Sequence, residues 1–148
     1  VQSGVFEQPV IQLDLAATAV AAAGVDASNA KLEGVDLRPH LTGMTKKPPH
    51  EALFWRFGEQ MAIRQGDLKL VRYDSNADTN SGQGGQPVTA AKLYNLRDDI
   101  GESKDISASM PEKVKELQAK WDSWNKDNVD PLWGGGAKKG GRRAKAAE

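Results

Sequence analysis

Apolar residues change their spacing twice along the chain. Val10 to Val25 reads as an apolar strand or turn leading into a helix, with Asp14 as N-cap for Leu15–Ala23 and Gly24 at the left-handed position past its end. So alanine-rich a helix presents a smooth face that belongs against a larger body. Leu37 and Leu41 bracket a short turn closed by Gly43, and the Thr45–Pro49 run is a linker by composition, because consecutive prolines favour extended backbone. From Ala52 the period becomes two. Ala52–Phe57 reads as a strand with Leu53, Trp55 and Phe57 on one face and Phe54 on the other. Gln60–Arg64 and Leu68–Tyr73 form a hairpin around Gly66, and Leu93–Leu96 adds a fourth strand. Val114, Leu117, Trp121 and Trp124 then recur at helical spacing, after a Ser109–Glu112 capping box with Pro111 in the first turn. A sheet apolar on both faces needs two covers. The chain supplies one of them, this helix.

Composition narrows the function classes. Twenty basic and twenty acidic side chains leave no formal net charge in 148 residues, which argues against a dedicated nucleic-acid binder. Cysteine is absent, so the chain has no disulfide, thiolate metal site or thiol nucleophile of its own. No apolar run reaches membrane-span length and no signal-peptide pattern opens the chain, which starts at Val1 rather than Met and reads as a fragment. Gly134–Glu148 carries five basic residues against one acid, with five glycines and nothing apolar larger than alanine. It reads as a disordered basic tail.

Candidate chemistry is sparse. His40 and His50 are lone histidines near prolines, without a second imidazole at metal-ligand spacing. Asp98 and Asp99 read as turn residues that bind backbone N–H groups. Asp74–Asn80 alternates oxygen donors as a calcium loop does, but Thr79 and Gly85 stand where Gly and Glu are required, so it reads as a hairpin insertion. Ser109-Met-Pro-Glu-Lys113 departs from the Ser-x-Pro-x-Arg motif that is modified to a catalytic aldehyde, because Lys replaces Arg. Trp55, Arg56 and Gln60 combine an aromatic and a guanidinium at a strand end, which can grip a sugar or an anion. Core packing with Leu53 and Phe57 is the simpler role for Trp55. Arg56, on the opposite face, either pairs with an acid of a covering domain or reaches an anionic substrate.

In order, these landmarks resemble the C-terminal end of the sulfatase family, of the arylsulfatase type. The matching strings are Pro9–Thr18 with Ala23-Gly24, Leu32–Leu37, Leu41–Gly43, Leu53–Arg56, Ala62–Val71, Leu93–Leu96, Asp98–Glu102 and the helix from Pro111 to about Trp124. The resemblance implies an α+β fold: a small antiparallel sheet packed with a C-terminal helix, preceded by the last helix of an alkaline-phosphatase-like α/β domain. It divides the chain into 1–45, the end of that large domain; 46–133, the sheet-plus-helix subdomain; and 134–148, the tail. It implies a parent enzyme that hydrolyses aryl or carbohydrate sulfate esters with a formylglycine and a calcium ion, both held upstream. This chain then has no catalytic residue, metal ligand or bound cofactor of its own. Its expected partners are the N-terminal sulfatase domain and a sulfated small molecule or sugar, met by His50, Trp55, Arg56 and Gln60, with no nucleic acid and no membrane span. The compartment expected by resemblance is extracytoplasmic. The alternative is a free-standing non-catalytic binding or structural module that shares the subdomain.

Overall fold

The computed structural model describes residues 4–73 and 88–129. The calcium-loop-like segment and the basic tail lie outside them. The chain splits into two compact units, Val1–Leu53 and Phe54–Glu148.

The first unit is built on α1 (Leu13–Ala22) and the single turn α2 (Arg38–Leu41). Asp14 does not cap α1 as expected. Gln12 holds the cap position without a side-chain bond, and Asp14 falls inside the first turn, where its Oδ2 accepts the Ile11 N–H at 2.9 Å. The carboxylate binds the N–H of the residue just before the cap, reaching back instead of forward. The far end follows expectation, with Gly24 at φ +70°. Residues 34–37 lie along the helix. Thr18 Oγ1 accepts the Leu37 N–H at 2.9 Å, and a Cβ on Gly34 would sit 2.2 Å from the Leu13 carbonyl oxygen. Only glycine allows that approach. α1 buries Asp14 and Ala17 and leaves Leu13 and Leu15 exposed.

The second unit holds the expected four-stranded sheet in the order β1 (Leu53–Phe57), β2 (Gln60–Gln65), β3 (Leu68–Arg72), β4 (Lys92–Asn95). β2 pairs antiparallel with β3, and β3 with β4, which aligns Ile63, Leu70 and Leu93 across three strands. All three are fully buried. Gly66 turns the β2–β3 hairpin at φ +59°, and Gly58 has the same φ between β1 and β2. A two-residue connection of this kind needs a positive φ, which glycine adopts without strain.

A short 3-10 turn, Ser107–Ser109, leads into α3 (Pro111–Asn125), whose Leu117 and Trp121 are buried. The expected capping box does not form. Met110 holds the cap position, and Ser109 Oγ donates instead to the Ile106 carbonyl at 2.8 Å within the 3-10 turn. A serine hydroxyl takes the local carbonyl when the backbone bends before the helix begins. Pro111 at the helix start is as expected. Polar rungs fix α3 on the sheet, with Gln65 Oε1 accepting from Lys113 at 3.2 Å and Arg72 donating to Gln118.

The packing of β1 corrects a third expectation. Trp55 and Phe57 do not join the core; they are 38% and 69% exposed. Phe54 instead stacks on Trp124, centroids 5.2 Å apart and planes 13° from parallel. The helix covers one face, and on β1 that face carries Phe54 and Arg56.

Candidate functional site

His50 belongs to the first unit and Trp55, Arg56 and Gln60 to the second. Arg56 points along β1 toward the end of α3. Its Nη1 donates to Asn125 Oδ1 at 2.8 Å and to the Val129 carbonyl at 3.3 Å. A cation there also complements the negative end of the helix. Trp55 is anchored by its backbone: its carbonyl accepts the indole N–H of Trp121 at 3.0 Å, while its own ring stays partly exposed. Gln60 opens β2, half-buried, on the opposite side of the strand from the buried Met61.

The most constrained polar group is one that the sequence reading used only as a helix cap. Asp14 is fully buried. Its Oδ1 accepts the Val35 N–H at 2.9 Å, its Oδ2 accepts the Ile11 N–H at 2.9 Å, and His50 Nε2 lies 2.9 Å from both oxygens. Burial pushes the carboxyl up. The hydrogen bonds from Ile11, Val35 and His50, with the His50 charge, outweigh burial and hold it below the usual carboxylate range. His50 itself is 12% exposed at its side chain. It is therefore not an idle loop histidine. Aspartate and histidine are thirty-six residues apart, and no local spacing announces such a pair.

The remaining candidates behave as turn chemistry. Asp99 accepts the Lys104 and Ser103 N–H groups and the Ser103 hydroxyl, and these bonds, that of Lys104 foremost, lower its pKa. Asp98 accepts from the Asn95 amide at 2.9 Å. His40 Nδ1 lies 3.0 Å from the Lys47 carbonyl. Among the described residues no three His, Cys, Asp or Glu side chains gather where they could hold a metal ion.

No family model matches the chain. Arylsulfatase A of Bos taurus is 33% identical over 132 residues, a match that covers 78% of this chain and 26% of that protein. Among solved structures, Ps i-CgsB in complex with k-i-k-neocarrahexaose superposes with a TM-score of 0.66 at 26% identity, over 86% of this chain and 27% of that one. BT4656 in complex with its substrate D-glucosamine-2-N,6-O-disulfate shares the fold at a TM-score of 0.57 and 24% identity, over 76% of this chain and 23% of its own. The chain thus spans about a quarter of the length of the relatives it matches.

Proposed function

We propose that this chain, a sulfatase C-terminal region in sequence and fold, is scaffold and pocket rim for a parent enzyme that hydrolyses sulfuric esters. The observation that carries the reading is the arylsulfatase similarity running over most of the chain.

Sulfatase chemistry needs a formylglycine nucleophile and a calcium ion, and the residues here fit neither. There is no cysteine, Ser109 is followed by Lys113 instead of the required arginine, and no carboxylate cluster is present among the described residues. Both groups are assigned in this reading to the N-terminal part of the parent. That part is also the proposed partner of this chain. Each unit, taken by itself, leaves apolar side chains in water, with Leu15 of α1 68% exposed and Phe57 of β1 69%. Such patches mark surfaces that a further body covers.

The groups proposed to meet a sulfated sugar or aryl sulfate are His50 in the first unit and Trp55, Arg56 and Gln60 in the second. Trp55 offers part of an indole face to a sugar ring, and Arg56 holds β1 against the end of α3 so that the indole keeps its place. The resemblance also supports a parent enzyme that works outside the cytoplasm. Among the described residues no helix is long and apolar enough to cross a membrane.

The test is expression of the complete reading frame beside the 148-residue chain, with release of inorganic sulfate measured from an aryl sulfate and a sulfated sugar. Turnover by the full-length protein and none by the chain is expected. A reading frame without a Cys/Ser-x-Pro-x-Arg motif, and without turnover, would overturn the enzyme reading in favour of a non-catalytic module.

A further inference from the structure

Asp14 and Thr18 stand four residues apart on α1, a spacing that puts them on one face of the helix, and together they hold the backbone of residues 35–37. Asp14 Oδ1 accepts the Val35 N–H at 2.9 Å. Thr18 Oγ1 accepts the Leu37 N–H at 2.9 Å and donates to the Val35 carbonyl at 3.5 Å. The same carboxylate takes the Ile11 N–H on Oδ2 and has His50 Nε2 at 2.9 Å from both oxygens. Chain at residues 11, 35 and 50 thus converges on one carboxyl group. The arrangement is a polar clasp that fastens a strap, residues 34–37, and His50 to the helix.

Apolar burial adds little to this clasp. Among the described residues of the first unit the buried apolar side chains are Ala17, Leu37 and Leu53, and the most buried side chain is Asp14 itself. The second unit instead has a core in which Ile63, Leu70, Leu93 and Leu117 are fully buried. A unit with few buried apolar contacts opens at a lower free energy than one built on such a core.

The clasp hangs on the charge of one group. Each Asp14 oxygen already accepts a backbone N–H, so a proton taken up by either oxygen sets an O–H donor where an N–H donor points. The group is then buried with its hydrogen bonds weakened and no water to replace them, which is the costly arrangement. The charged group that acts on the carboxyl is His50; Asp36, beside Val35, is engaged by Arg38 at 2.8 Å. We propose that Asp14 is the acid-released catch of this clasp, so that its protonation frees residues 34–37 and His50 from α1 while the sheet and α3 stay folded. The folded carboxyl titrates below its ordinary value, so the catch holds above the usual carboxylate range and opens as pH falls through the depressed value. The inference goes beyond the sulfatase reading and stands on the first unit alone. It has one consequence for that reading: His50, among the groups proposed to meet substrate, is released together with the strap.

The experiment is hydrogen–deuterium exchange of the full-length protein, read by mass spectrometry on peptides and corrected for the pH dependence of intrinsic exchange. The pH series runs from neutral to below the ordinary carboxylate value of about 3.9. Peptides over residues 11–18 and 34–38 should lose protection about tenfold or more, the value of one hydrogen bond to a charged group, while the peptide over 60–72 keeps its own. Asp14→Asn, which has nothing to titrate, should leave the first two peptides weakly protected at every pH. Thr18→Val removes the acceptor of Leu37 but not the titrating group, so it should lower protection of 34–38 at neutral pH and still show the acid loss. Simultaneous loss of protection in both units of the wild type would overturn the inference even if Asp14→Asn fails to fold. So would an Asp14→Asn protein that keeps the acid-dependent loss. Neither result depends on whether the protein turns over a sulfate ester.

Discussion

Removing the Trp121 side chain tests whether α3 is held on the sheet by burial or by its polar rungs. The indole is 9% exposed, lies 6.1 Å from the Trp124 ring between centroids, and donates its N–H to the Trp55 carbonyl at 3.0 Å. Trp121→Ala removes nearly the whole buried area and leaves a cavity, at about 3–5 kcal/mol. Trp121→Phe keeps most of the apolar contact and loses the hydrogen bond, at about 1 kcal/mol when water can reach the freed carbonyl on β1. The two costs separate the contributions. A domain of this size has roughly 5–15 kcal/mol in all, so the alanine variant sits near the edge of folding and the phenylalanine variant well inside it. Urea unfolding of the chain followed by far-UV circular dichroism reads both without relying on the fluorescence of the residue removed. With a slope of about 1–3 kcal/mol per molar urea, the midpoint should fall by more than about 1 M for alanine and much less for phenylalanine. A loss under about 1 kcal/mol for Trp121→Ala would show that the helix does not dock as described. Equal losses for the two variants would place the whole effect in the hydrogen bond.

Three further outcomes are expected. The Asp14 carboxyl titrates lower folded than unfolded, so its stabilisation is present above the ordinary unfolded value of about 3.9 and is lost as pH falls through the depressed folded value. Acid unfolding should therefore be steeper in the wild type than in Asp14→Asn, and equal slopes would contradict this. Gly34→Ala should destabilise the first unit by about 3 kcal/mol or more, because the new methyl meets the Leu13 and Asp14 backbone and no flexible side chain can move aside; an unchanged melting temperature would refute the close approach. The 148-residue chain should bind a hydrophobic dye strongly through exposed Leu13, Leu15 and Phe57 while the full-length protein does not, and a dye-silent chain would remove the case for a covering domain.

The elements legible in the sequence are those specified by residues close together in it. Alternation over Gln60–Gln65 and Leu68–Arg72, with a glycine at the one turn position that needs positive φ, determines a hairpin locally, and the 3-4 spacing from Val114 to Trp124 determines the face of α3. Local information fails where two solutions satisfy the same pattern. β1 has large apolar groups on both faces, so alternation separates Phe54 from Trp55 and Phe57 without saying which side is covered. The helix decides that from more than fifty residues away, through Trp124 and Asn125. The Ser109–Glu112 spacing fits a capping box, yet a nearer carbonyl, that of Ile106, takes the hydroxyl first. The candidate site divides the same way. His50, Trp55, Arg56 and Gln60 could be named from residue type, but their roles are set by partners remote in the chain: Asp14 for the imidazole, Asn125 and Val129 for the guanidinium, and Trp121 for the strand that carries the indole. A polar side chain acquires its chemistry from what its atoms face. For His50 that is a buried carboxylate on another segment, both of whose oxygens face the Nε2 edge of the ring.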